Sequence, residues 1–360
     1  MTQPAYGPGA AAPGAGGSDL KIYFPLPFKR NPVMPVEELD AYGAAWMLRK
    51  GLCTAGSPWL RGNFGLMTSA GFPFFSREVL KATCLMNYWA LAWDDHIETL
   101  HTSGSLAEVN RRFADMTQVL YTPQGAPAPP DPWAAALGEV SQGFARCLSP
   151  QQWERWRAAF QAWFPAALWS EALKHGGELP SVGSYLRMRY LDLGCEVLSV
   201  LTPMGSGYDI TPENAAHRNL RAFNETMVTI ATLYNDLLSM AKEADSGVPN
   251  IISLIAHHHA CSPLDAIAAV LELHDRLMCL LLRQQAHLIA HGNPAVARYV
   301  QEFPYWLSCV LDWAINSPRY LESDGVPTFT LTDAPVRWDP QDTAPPPYPE
   351  IAWWWATVTR

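Results

Sequence analysis

Three oxygen-bearing side chains recur at four-residue spacing in the stretch Tyr234-Asn-Asp-Leu-Leu-Ser-Met-Ala-Lys-Glu243: Asn235, Ser239 and Glu243. Four residues is close to one helical turn, so on a helix the three climb one broad face. An amide oxygen, a hydroxyl and a carboxylate in one column suit a hard divalent cation such as Mg²⁺, which takes oxygen ligands and keeps water or phosphate in its remaining positions. The plain alternative is a solvent-facing helix end with ordinary polar residues. A second cluster weighs against it. Trp93-Asp94-Asp95-His96-Ile97-Glu98 closes an apolar run that begins at Val79. Asp94 and Glu98 are i, i+4 and share a face, with Asp95 beside them. Three acids at the end of an apolar helix repel one another and cost desolvation unless a cation or solvent compensates. Two such clusters on two buried helices make facing jaws for metal ions and a diphosphate.

The elements that carry them read as helices almost throughout. Phe223, Met227, Val228, Ile230, Ala231 and Leu233 put an apolar body before the first column. Helices are expected over 37–50, 78–100, 105–120, 133–148 and 151–173, the last with Ser149 as cap and Pro150 at its first position. Further helices are expected over 181–202, 212–243, 263–291 and 294–315, with a proline-rich loop over 121–132. Alternation of the strand type occurs only near Thr328 to Thr332. The pattern predicts an all-α bundle of about ten helices around one central apolar cavity.

Composition bounds the function. The 360 residues carry a net charge of −9 with no basic run, which argues against a nucleic-acid partner. Nearly half the residues, 49%, are hydrophobic, enough for a large core. No run of about 18 or more uncharged apolar residues exists, so no membrane span is expected. The seven cysteines are scattered without CxxC spacing, which suggests reduced core thiols and a cytoplasmic protein. Residues 1–19 read as a disordered Gly/Ala/Pro-rich leader, 20–322 as the catalytic domain, and 323–360 as a Pro/Trp-rich extension. That extension fits a lid, a docking segment or a tail with an exposed aromatic patch.

Taken together, these motifs resemble those of the bacterial class I terpene synthases. Asp94-Asp95-x-x-Glu98 is similar to that family's aspartate-rich motif, and Asn235-Asp236-x-x-Ser239-x-x-Lys242-Glu243 to its second metal motif. Tyr185-Leu-Arg-Met-Arg189, Trp313 with Arg319-Tyr320, Phe24-Pro-Leu-Pro-Phe28 and Asn31-Pro32 follow the family's order over roughly residues 20 to 322. The resemblance implies the class I terpenoid synthase bundle, with Asp94, Asp95, Glu98, Asn235, Ser239 and Glu243 holding Mg²⁺, three ions in all, for which Mn²⁺ can substitute. It implies Arg189 as the diphosphate sensor, ahead of its neighbour Arg187, with Lys242, Arg319 and Tyr320 as further diphosphate donors. Asp192 fits the family's linker position by spacing. Leu193 stands where the family places a small residue with a substrate-facing carbonyl, and Gly194 follows.

A carbocation released from diphosphate needs a dry cavity with aromatic faces. Fifteen Trp and thirteen Phe supply them, and Trp89, Trp93, Phe164, Trp306 and Trp313 lie on helices expected to line or back the cavity. The substrate implied is a linear prenyl diphosphate, farnesyl diphosphate first. Geranyl, 2-methylgeranyl or geranylgeranyl diphosphate is the alternative, and the protein would be a monomer or homodimer. A chain-elongating prenyl transferase would carry two aspartate-rich motifs. A di-iron carboxylate protein would repeat Glu-x-x-His, and Glu98-Thr-Leu-His101 is a single instance. Counting down from the metal positions, Ala90 and Ala231 leave room one turn deeper, and Asn87 and Asn224 are expected to be tied to neighbouring helices.

Overall fold

A computed structural model describes residues 19–103, 105–122, 131–176, 179–243, 249–316 and 328–358. Strand β1 (Asp19–Tyr23) leads to α1 (Val36–Arg49), α2 (Phe64–Gly71), α3 (Arg77–Ser103) and α4 (Leu106–Tyr121). Next come α5 (Pro132–Cys147), α6 (Pro150–Gly176), α7 (Val182–Asp192), α8 (Cys195–Gly205), the short α9 (Pro212–Ala216) and α10 (Arg218–Glu243). The chain continues through α11 (Ile251–His259), α12 (Pro263–His291), α13 (Pro294–Glu302) and α14 (Tyr305–Asn316), then β2 (Thr328–Thr332) and α15 (Pro349–Ala352). The all-α expectation holds.

Local chemistry sets most boundaries. Ser105, Asp131, Ser181 and Ser262 each cap a helix by accepting a backbone N–H of its first turn. Where the sequence read one long helix, the chain turns instead. The 181–202 run breaks between α7 and α8, because Gly194 takes φ +68° and Leu193 and Gly194 fold back onto the Arg189 and Leu191 carbonyls. The 212–243 run breaks at His217, whose ψ of 131° is extended. Phe303-Pro304 divides the 294–315 run, since Pro304 has no N–H to continue the ladder. Conversely, α6 runs on through Pro165 to Gly176, beyond the expected end at 173.

The core is one continuous cluster around α3, α10 and α12. Trp89 and Trp93 stack 5.2 Å apart on the α5 side of α3, where Trp89 Nε1 donates to the Trp133 carbonyl. At the N-terminal approach, Asn31 Nδ2 donates to the Phe72 and Phe75 carbonyls at 2.8 and 2.9 Å, satisfying buried acceptors where α2 ends. All seven cysteines are unpaired. Among the described residues no helix is long and apolar enough to cross a membrane.

The strand expected at Thr328 to Thr332 forms, as a parallel partner of β1 in the register Asp19↔Thr328 to Tyr23↔Thr332. Residues 1–18, which carry the leader reading, lie outside the described residues. After β2 the chain stays on the bundle. Asp275 Oδ2 accepts from the Val336 and Arg337 amides at 2.8 and 2.7 Å, and the Arg276 guanidinium covers the Trp338 ring. Trp354 and Trp355 are buried rather than displayed, and Trp354 Nε1 donates to Glu225 on α10. Glu350 packs so closely on Gly183 of α7 that a methyl at position 183 would collide with its carboxylate.

The buried His274 joins this latch to α10, with Nε2 at 2.8 Å from the Tyr234 hydroxyl and Nδ1 at 3.4 Å from Asp275. Burial holds His274 below its ordinary range, although Asp275 pulls the other way. A histidine kept neutral in the fold protonates preferentially in the unfolded chain. Stability is therefore lost as pH falls below about 6.5, at up to ~1.4 kcal/mol per pH unit for this one proton. We predict that urea melts between pH 7 and 5 show this slope and that His274→Gln reduces it. An unchanged slope in the variant would assign the pH dependence elsewhere.

Candidate active site

The cavity lies between α3, α7, α10 and α14, with a volume of about 320 Å³. From α3 it receives Asn87, Ala90, Leu91, Asp94 and Asp95, and from α10 Ala231, Asn235, Asp236, Leu238 and Ser239. Of the two columns, Asp94 and Asp95 on α3 and Asn235 and Ser239 on α10 border one space. The helix rotation read from spacing holds for Ala90 and Ala231. Asn87 and Asn224 are each tied to a neighbouring helix, Asn87 to Thr68 at 3.0 Å and Asn224 to the Tyr299 hydroxyl at 2.9 Å.

Arg189 reaches the same cavity from the last turn of α7. Its Nη2 donates to Asn235 Oδ1 at 2.6 Å and lies 3.4 Å from Asp236 Oδ1, while Nη1 pairs with Asp192. Burial opposes the charge, but Tyr185, Asp192 and Asp236 outweigh it and hold the guanidinium well above its usual range. It is a fixed cation. Only 14% of its side chain is exposed, and it borders the cavity. Arg187 points outward and does not line the cavity. Leu193 and Gly194, at the break that follows α7, do line it.

Asp236, beside the metal-column residue Asn235, has a role that the sequence motif does not reveal. It is buried, and its Oδ2 accepts from the Tyr185 hydroxyl and from the Ile251 amide, both at 2.8 Å. One carboxylate thus joins α7, α10 and the start of α11. The pairing Asn-Asp at the column's base was the only sequence signal for it. Glu171, buried on α6 beside the cavity, left none.

The donor set suits a hard cation. The Ser239 hydroxyl oxygen is buried and has no hydrogen-bond partner among the described residues, an arrangement that a metal ligand would explain. Asp94 is exposed at the mouth and Asp95 half-buried. Among the described residues no three His, Cys, Asp or Glu groups cluster as a metal site; two members of the column are Asn and Ser. The side chains of Glu98, Lys242 and Glu243, and both Arg319 and Tyr320, lie outside what the structure describes. Of the aromatic residues singled out, Trp306 and Trp313 line the cavity. Trp89, Trp93 and Phe164 do not, and Phe160 and Trp163 take that place on α6.

Comparison with known proteins agrees with this geometry. Residues 85–279, more than half of the chain, match the family model described as terpene synthase family 2, C-terminal metal binding. The chain is 28% identical to bonnadiene synthase of Allokutzneria albata, with 93% of this chain and 96% of that protein covered. It is 24% identical to 4-epi-cubebol synthase ((2E,6E)-farnesyl diphosphate cyclizing) of Streptosporangium roseum, over 83% of this chain and 91% of the relative. A crystal structure of the ancestral reconstruction SVS_A2 shares the fold with a TM-score of 0.82 at 24% identity, covering 94% of this chain and 99% of that one. Linalool/nerolidol synthase from Streptomyces clavuligerus shares it with a TM-score of 0.70 at 17% identity, over 82% of this chain and all of that one. With the family model spanning Asp94 to Glu98 and Asn235 to Glu243, this chain belongs to terpene synthase family 2.

Proposed function

We propose that the enzyme ionises farnesyl diphosphate at the mouth of this cavity, cyclises the carbocation to a terpene hydrocarbon or alcohol, and releases diphosphate. The observation that carries the reading is one continuous space in which Asp94, Asp95, Asn235, Ser239 and Arg189 stand above Ala90, Ala231 and a largely apolar, aromatic wall. Relatives whose names specify cyclisation of (2E,6E)-farnesyl diphosphate support a C15 chain. So does a volume near the lower end of the roughly 300–1,000 Å³ of ligand pockets.

Asn235, Ser239 and Glu243 would hold one Mg²⁺, and Asp94, with Asp95 and Glu98, the others. Bound there, Mg²⁺ supplies charge that stabilises the departing diphosphate. The residues of the chain do the rest. Arg189 offers a planar fork to phosphate oxygens, held in place beforehand by Asp192 and Asp236. Lys242, Arg319 and Tyr320 would add further donors. Trp306, Trp313, Phe160 and Trp163 line the cavity with aromatic rings that would exclude water and attract the cation.

We predict that Asp94→Asn and Glu243→Gln each lose at least about tenfold in kcat while retaining helical circular dichroism, and that EDTA abolishes turnover. Full activity of either variant, or of the enzyme in EDTA, would remove the metal assignment. Ala90→Phe should fill the space beneath the mouth and shift the kcat/KM ratio from farnesyl towards geranyl diphosphate, with a stability cost of about 1–3 kcal/mol. A wild-type ratio in the folded variant would show that this wall does not set chain length.

A further inference from the structure

One polar group deep in the cavity has an orientation fixed by its neighbours. Asn87 is 7% exposed and lines the cavity with Met67, Phe72 and Met86. Its Nδ2 is 3.0 Å from Thr68 Oγ1, and that hydroxyl lies 2.7 Å from the Phe64 carbonyl. A carbonyl can only accept, so the hydroxyl's single proton goes to Phe64 and its oxygen is left to accept. Asn87 must then turn its NH₂ to Thr68. Its Oδ1 has no hydrogen-bond partner among the described residues and is not among the sealed polar atoms of the core, so on a residue that lines the cavity it opens there. Thr68 itself is fully buried and does not line the cavity.

Asn87 stands seven residues before Asp94, two turns or about 10 Å down the axis of α3. With diphosphate and its cations at the mouth, the folded prenyl chain fills the space between them and this depth. Attack of a far double bond on the ionised carbon forms the ring bond at one of its carbons and leaves the positive charge on the other, inside that space and away from the diphosphate. A fixed amide oxygen in apolar surroundings attracts that charge without taking a proton from it, and the low local dielectric strengthens the attraction. We propose that the Asn87 amide oxygen is a specificity-determining group that stabilises the carbocation after the first ring closure, and that Thr68 is the positioning residue that aims it. The proposal rests on the cyclase reading above.

The test separates ionisation from the later path. Wild type, Asn87→Leu and Thr68→Val are given farnesyl diphosphate and Mg²⁺, and both diphosphate release and the products by mass spectrometry are measured. Leu keeps the bulk and removes the dipole, and Val removes only the orienting oxygen, outside the cavity. In both variants diphosphate release is expected within about twofold of wild type. The fraction of products closed at the far double bond should fall about fivefold in favour of acyclic products. An unchanged product profile in either folded variant overturns the proposal, as does a product shift matched by an equal loss of diphosphate release. If Asn87→Leu does not fold, Thr68→Val decides alone. Failure of wild type to release diphosphate from prenyl diphosphates of any length would instead sink the parent reading.

Discussion

A guanidinium kept charged inside a helical bundle is the constraint on which the site depends. Arg189 sits at the end of α7, where desolvation would cost several kcal/mol without close opposite charge. Asp192 on its own last turn and Asp236 on α10 provide it, and the Asn235 amide oxygen on α10 accepts a further hydrogen bond. Asp236 is committed further, to Tyr185 on α7 and to the Ile251 amide that opens α11. The charge therefore fixes how α7 meets α10 and where α11 starts. α7 ends at Asp192, and the turn that follows brings Leu193 and Gly194 to the cavity wall.

The same arrangement divides the cavity by chemistry. Carboxylates, amide and hydroxyl oxygens and one fixed cation gather at the ends of α3, α7 and α10. Beneath them the wall is mostly alanine, leucine, methionine and aromatic rings, with the Asn87 amide among them. A substrate with an anionic head and an apolar chain has one orientation that satisfies both halves. Once the head group departs, the chain's positive charge is left among ring faces and little else that can react with it. The buried Trp89–Trp93–Trp133 cluster stands behind this wall and packs α3 against α5.

Much of this was legible because it is written in local periodicity. The boundaries of α1, α3, α4 and α12, the strand at 328–332, and the shared face of Ala90 with Asp94 all follow from repeats of two or about 3.6 residues. What stayed hidden depends on partners distant in sequence or on a single backbone angle. Gly194 inside an otherwise helical run costs only about 1 kcal/mol in a helix, so its composition does not announce the break. Nothing local in Asp19–Tyr23 points to a partner more than 300 residues away. The prolines and tryptophans after residue 340 look like a tail until Asp275, Glu225 and Gly183 are seen to receive it. Asp236 was hidden for a different reason. Its charge is spent on protein donors, which only the packed structure reveals. Thr68 and Asn87 are ordinary helix residues 19 positions apart, and their hydrogen bond gives both a meaning.

The central claim is that the mouth of this cavity binds diphosphate through bound cations and through the preset Arg189. Titration calorimetry with inorganic diphosphate tests it most directly, on the wild type and on Arg189→Met, with and without Mg²⁺. The account predicts binding by the wild type only when Mg²⁺ is present, and a loss of at least about tenfold in affinity for the folded variant. Equal affinity in the two proteins, or wild-type binding indifferent to Mg²⁺, would contradict it.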